Sequence, residues 1–136
     1  YMTNKLSGGC LCGYVEFSLE DNFSAFYQCH CKQCQNLTGS AFASNLITTP
    51  ENIEWIKGAD NIKKYDHPFR DFAKAFCGSC GSAVPFVNKS TRSLIVPAGS
   101  LKSFAAIRPQ ANIFTSEEAC WLKAGQGAQE FEGFPK

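Results

Sequence analysis

The stretch Cys29-His30-Cys31-Lys32-Gln33-Cys34 places three cysteines and a histidine in six positions. No core-packing requirement asks for such a run, whereas thiolates this close can converge on one soft cation. Convergence constrains the backbone. In an extended strand the side chains of i and i+2 share a face but lie ~6.6 Å apart. That is too far for two sulfurs that each sit ~2.3 Å from one zinc. The chain must therefore bend sharply between Cys29 and Cys31. His30 then points away from the cluster, as a hydrogen-bonded histidine at a strand end. Cys31 and Cys34 are three apart and would share a face on one helical turn, with Gly39 free to take the positive φ of a C-cap. Three thiolates leave the fourth corner of a tetrahedral zinc open, as catalytic zinc sites do.

Four further cysteines form two similar pairs. Cys10-Leu11-Cys12-Gly13 and Cys77-Gly78-Ser79-Cys80-Gly81 each end in Cys-Gly. Glycine admits the tight turn that aims backbone N–H groups at sulfur and holds the thiolates in place. Two plus two thiolates complete a tetrahedral zinc with four cysteine ligands. Such a site would close the intervening segment into one loop and supply folding free energy. Ordinary buried cysteines and iron–sulfur ligation are the rival readings, although iron–sulfur spacings usually differ. The eighth cysteine, Cys120, sits in Glu-Glu-Ala-Cys-Trp. Beside Trp121 it reads as a free cysteine in apolar packing rather than a fourth ligand to the open site. His67, ahead of Pro68, reads as a solvated loop residue.

The chain has 136 residues, which suits one domain spanning 2–136. Tyr1 ahead of Met2 reads as an added residue. A hydrophobic share of 44% against 18% charged describes a soluble globular chain. Its 13 basic and 12 acidic residues leave a net charge of +1. That lacks the electrostatic footprint of a nucleic-acid or anionic-membrane binder. No stretch approaches the ~20 apolar residues that span a bilayer, and no basic-then-apolar leader opens the chain. C-x-C and C-x-x-C spacings without a secretion signal favour metal binding over disulfides, in a reducing compartment such as the cytoplasm.

Short alternating segments punctuated by Gly and Pro point to an all-β domain with one or two short helical turns. After a glycine-rich turn at 8–9, strands are expected around 14–17, 23–28, 41–48, 52–57, 62–65, 83–87, 93–96 and 111–115, with 72–76 leading into Cys77. The remaining tail reads as mostly irregular. Phe26, Phe42, Trp55, Tyr65 and Phe86 are candidates for lining a pocket, with core packing the default for aromatics at strand spacing. Arg70 and Arg92 are candidates for binding a carboxylate, with a solvated surface position as the default.

Zinc held by three thiolates carries a formal charge of about −1 and is a weak Lewis acid. It is better suited to holding a fourth thiol as an electron-rich thiolate at neutral pH. Thiol addition to an electrophilic carbon, or its reversal, follows more readily than ester or peptide hydrolysis.

These motifs, namely Gly9-Cys10-x-Cys12-Gly13-x-Val15, Cys29-His30-Cys31-x-x-Cys34, Thr38-Gly39, Phe76-Cys77-x-x-Cys80-Gly81-Ser82 and Gly99-Ser100-Leu101, resemble the glutathione-dependent formaldehyde-activating enzyme family, which includes centromere protein V. The tail, with Asn112-Ile113-Phe114, Ser116, Trp121 and Phe131-Glu132-x-Phe134-Pro135, is similar too. The resemblance implies a β-tent fold with a structural zinc on Cys10, Cys12, Cys77 and Cys80 and a catalytic zinc on Cys29, Cys31 and Cys34. It implies a carbon–sulfur lyase like S-(hydroxymethyl)glutathione synthase, whose partners are glutathione or a similar thiol and a small aldehyde such as formaldehyde. Gln35-Asn36 stands where the family often carries Arg-Lys, cations that would attract glutathione's carboxylates. Cys120 stands where proline is expected, while Lys74 keeps a cation in its usual place. Two other readings are a non-catalytic zinc-stabilised binding module and, against the charge balance, a nucleic-acid zinc module.

Overall fold

A computed structural model describes residues 4–135, so the reading of Tyr1 and Met2 concerns residues outside the described range. From the N-terminus come β1 (Lys5–Gly9), β2 (Glu16–Glu20) and β3 (Ala25–Cys29), then the seven-residue helix α1 (Lys32–Thr38). β4 (Ala43–Thr48), β5 (Glu54–Lys57), β6 (Ile62–Asp66) and β7 (Ala73–Cys77) follow. The two-residue strands β8 (Ala83–Val84) and β9 (Phe86–Val87) precede β10 (Leu94–Pro97) and β11 (Ala111–Ile113). A five-residue helix, α2 (Leu122–Gln126), lies near the end. The fold is the expected all-β tent of small sheets with two short helices. No helix among the described residues is long and apolar enough to cross a membrane.

The strands form three sheets, ordered β1-β2-β5, β11-β3-β4-β10-β9 and β6-β7-β8. Alternation in Glu16–Glu20 turns Phe17 and Leu19 inward. They meet Leu6 of β1, Leu46 of β4, and Leu94 and Val96 of β10 in the main core. A second core of Val15, Ala75, Cys77 and Val84 packs beneath the four-cysteine region. The third cluster is Cys29, Cys31 and Cys34 themselves, walled by Ala43, Phe72 and Ile113.

Three elements depart from the sequence reading. Gly8 and Gly9 belong to β1 rather than to a turn. Gly8 lies against the ring of Phe17, and a Cβ there would stand 2.7 Å from Ser100 O. The glycine serves close approach of backbone to core, not chain reversal. The segment 83–87 is two strands: β8 pairs with β7 and β9 pairs with β10. Pro85 between them has no N–H for a ladder and hands the chain, fully buried, from one sheet to the next. The tail also contains α2, which its weak patterning did not announce.

Among the described strands only β11 joins its sheet in parallel, against β3, with Ile113 opposite Cys29. A parallel partner needs a long crossover, here most of the chain, and it delivers the tail to the cysteine-rich stretch.

Candidate metal centres and the cavity between the sheets

β3 ends at Cys29 and α1 begins at Lys32, so the chain leaves extended geometry at His30 and Cys31. Cys31 (φ −66°, ψ 155°) is the N-cap of α1, and its sulfur accepts the Cys34 N–H at 3.3 Å. A thiol thus does what Ser or Asp usually does at a helix start. The bend and the helical turn bring Sγ of Cys29, Cys31 and Cys34 within 4.8 Å of one another. All three are buried. Burial, followed by the Cys31 and Cys29 sulfurs, pushes the Cys34 thiol well above its usual range. Burial likewise raises Cys29. Three crowded, buried thiols cannot all shed protons without a nearby cation, which is the electrostatic signature of a thiolate metal site.

His30 is 2% exposed and turned from the sulfurs. Its Nε2–H donates to Asn112 Oδ1 at 3.0 Å, and its ring packs on Phe42 at 5.0 Å between centroids. It is the strand-end histidine that the spacing implies, anchoring β11. His67 is half-buried rather than solvated, with Nδ1 accepting the Phe69 N–H at 3.1 Å. Gln35, which directly follows the third cysteine of the triad, has a structural role. Its Nε2 donates to His30 O at 2.8 Å and to Glu117 O at 2.9 Å. Glu117 Oε1 in turn accepts the Lys32 N–H at 3.0 Å. Together these bonds clamp the tail onto the start of α1, a role that residue type alone did not suggest.

The second cluster joins the turn between β1 and β2 to the end of β7. Sγ of Cys10, Cys12, Cys77 and Cys80 all lie within 4.8 Å of one another. Cys10–Cys12 is 3.6 Å and Cys12–Cys77 is 3.9 Å. A tetrahedron with ~2.3 Å zinc–sulfur bonds has edges of about 3.8 Å, so the donor set fits zinc. Gly13 and Gly81 take φ of 81° and 79°, the left-handed turns expected of the two Cys-Gly knuckles. Backbone N–H groups of Val15 and Ser79 point at the sulfurs of Cys10 (3.2 Å) and Cys77 (3.4 Å).

Two residues around this cluster were given no role by the sequence, although Ser82 stands in the motif that carries Cys77 and Cys80. Ser82 Oγ accepts the Leu11 N–H at 2.9 Å, leaving its O–H to donate to Cys80 Sγ at 3.2 Å. The Ser82 hydroxyl and backbone N–H, followed by the Cys12 N–H, hold Cys80 down to about 5. Asn61 Nδ2 donates to Ser79 Oγ at 2.8 Å and lies 3.6 Å from Cys77 Sγ. Its backbone carbonyl accepts the Gly78 N–H. Ser82 follows directly on the Cys-Gly knuckle, so a search for hydroxyls flanking such knuckles would have found it. No local signal marks Asn61.

Among the described residues Cys120 belongs to neither cluster and is exposed, and Trp121 is 56% exposed. The expected apolar packing of this pair is therefore not observed. Their segment follows a 3₁₀ turn held at the surface by Glu117, so the neighbouring tryptophan meets solvent rather than core. Arg70 and Arg92 are exposed.

Cys29 and Cys34 line a cavity of about 520 Å³ between α1, the central sheet and the β6-β7-β8 sheet. Phe42 and Phe86 are also in its wall, as the sequence allowed. Phe26 lines a separate cavity under residues 101–109, Trp55 packs edge-on against Phe17 in the core, and Tyr65 is 47% exposed.

Small, mostly antiparallel sheets carrying two cysteine clusters of metal-ligand geometry define a cysteine-rich β-tent protein. The family model for the glutathione-dependent formaldehyde-activating enzyme matches residues 5–117, and the chain belongs to that family. The match ends at Glu117, so the tail motifs at 121 and 131–135 lie beyond it. The fold is similar to that in a crystal structure of a Rhodobacter sphaeroides protein, with TM-score 0.59 and 20% identity over 78% of this chain and 97% of that one. No curated protein matches the chain.

Proposed function

We propose that the protein is a zinc-dependent carbon–sulfur lyase that joins a thiol to a small aldehyde such as formaldehyde, or splits the adduct. One observation carries this reading: three buried, mutually crowded cysteine sulfurs, two of them lining a ligand-sized cavity, with the chain's other thiol cluster complete without them. Cys10, Cys12, Cys77 and Cys80 would hold a structural zinc, and Cys29, Cys31 and Cys34 a catalytic one. Zinc bound at the triad would keep an incoming thiol as thiolate. In the reaction a carbon–sulfur bond forms, the carbonyl π pair moves to oxygen, and oxygen takes up the proton the thiol gave up. No oxidant or reductant enters.

The chain's own residues shape that step. The Cys34 N–H orients the Cys31 sulfur. Phe72, Ala43 and Ile113 shield the triad from water, which strengthens electrostatics within it. The Gln35 and Glu117 bonds fix the start of α1, and with it the angle between the first two sulfurs and the third. A reducing compartment such as the cytoplasm suits seven cysteines acting as thiolates.

Cys31→Ser tests the reading. The variant should retain its far-UV circular dichroism and one of two zinc equivalents while losing turnover of thiol and aldehyde. Loss of fold together with both metals would instead favour a zinc-stabilised binding module.

A further inference from the structure

The side chains lining the cavity above Cys29 and Cys34 carry no net positive charge. Among the described residues one basic side chain lines it, Lys74. Its Nζ donates to Leu37 O at 2.8 Å, on the last turn of α1, which fixes this cation at the carbonyl end of the helix, where the one acidic side chain of the lining balances its charge. One acidic side chain lines it as well, the exposed Asp71. Asp71 Oδ2 accepts a hydrogen bond from the Ser90 hydroxyl, and Asp71 forms no ion pair among those of the described residues. No arginine among the described residues lines the cavity. Its walls are otherwise apolar or neutral, with Phe42, Phe72, Phe86, Ile47 and Ile95 supplying most of the bulk.

The balance of charge then selects the ligand. Three thiolates around zinc total about −1, and a fourth makes about −2. Asp71 adds negative charge at the rim. With Lys74 offset by Asp71, a ligand bearing carboxylates would meet the net negative charge of the metal-thiolate cluster with no surplus cation to hold it, and like-charge juxtaposition is how binding sites reject wrong partners. An uncharged apolar body meets complementary walls.

On the lyase reading above, we propose that the thiol partner of this site is an uncharged, apolar-bodied thiol, taken in preference to acidic thiols such as glutathione. Asp71 is the specificity-determining residue at the rim. The bonds made and broken are those of the lyase step, and only the carrier of the sulfur differs.

The test is a matched pair of thiols titrated into cobalt(II)-loaded protein, following the sulfur-to-cobalt absorption. Benzyl mercaptan and 4-(mercaptomethyl)benzoate share a body and differ by one carboxylate. Glutathione and its dimethyl ester form a second pair. In the wild type the uncharged member should bind at least tenfold more tightly than the benzoate, and the ester more tightly than glutathione. Raising the salt to 1 M should shrink both ratios, a readout that requires no variant. Asp71→Asn should shrink them severalfold, and Asp71→Lys should shrink them further. Glutathione binding as tightly as its ester, or the benzoate as tightly as benzyl mercaptan, would overturn the proposal and leave the lyase reading standing. A cobalt spectrum indifferent to all four thiols in a folded protein would overturn both.

Discussion

At Ser82 a single hydroxyl accepts the Leu11 N–H from one cysteine knuckle and donates to the Cys80 sulfur of the other. The bond to Cys80 spans two residues and is local, whereas the bond to Leu11 spans 71 and has no local signature. The short-range bond lowers the Cys80 thiol, and the long-range one holds Cys10 and Cys12 in register with it. Partners of metal ligands commonly contribute ~10–100-fold to metal affinity. Ser82→Ala should therefore weaken one of two zinc sites by about tenfold in chelator competition, and leave the other unchanged. An equal loss at both sites would show that the hydroxyl acts on general stability instead.

Among the elements, β3, α1 and β4 were legible because their signals are local. Alternation marks the strands, and the three-residue cysteine spacing with Gly39 marks the helical turn. β1 was not legible, since Lys-Leu-Ser-Gly-Gly carries two residues that weaken strands. Its glycines are explained only by the neighbour: β1 runs so close over Phe17 and Ser100 that no side chain fits at Gly8. Gly8→Ala should cost about 1–3 kcal/mol, the range for overpacking a tight core, measured as a lowered urea midpoint at unchanged slope. An unchanged midpoint would mean that β1 can lift from β2 freely. The division of 83–87 follows the same logic. Pro85 is a strand breaker by its chemistry, but that the two halves serve different sheets is a matter of what lies on each side.

Across the whole molecule the two clusters sit in different electrostatic surroundings. In the triad, burial raises Cys29 and Cys34. In the four-cysteine cluster, Cys10 is lowered, since its burial is outweighed by the Val15 N–H together with the Cys12 and Cys77 thiols. Cys80 is lowered to about 5 by Ser82. Cys12 is raised to about 11, the Tyr14 N–H that lowers it being outweighed by Cys10 and the other sulfurs. Protons compete with metal for each sulfur. A thiol held above its usual range retakes its proton at higher pH, and one held below keeps its metal to lower pH. Although Cys12 is raised, its cluster holds Cys10 and Cys80 below their usual range and offers one more ligand than the triad, so acid titration of the zinc-loaded protein should release metal in two steps, the triad first at the higher pH. Cys31→Ser should show the lower step only. The second release should coincide with loss of near-UV circular dichroism, because that cluster joins the β1–β2 turn to β7. Release of both equivalents in one step, or in the opposite order, would contradict this account.

The grouping of seven cysteines into four and three, the bend after Cys29 and the turn of helix through Cys34 were determined by the sequence, because ligand spacing and backbone geometry act over a few residues. So was the turning of the His30 ring away from the sulfurs. Tertiary structure alone decided the rest, through contacts more than 35 residues apart: Gln35 and Lys32 on Glu117, His30 on Asn112, and Lys74 on Leu37. Lys74 shows why this division matters. From sequence it is a cation close to the cysteines, available to an anionic ligand. In the folded chain its ammonium group is held on the carbonyl end of α1, and the cavity it lines keeps an acidic rim. The field a ligand meets depends on where the fold has fixed each charge, and that placement across elements has no local signature.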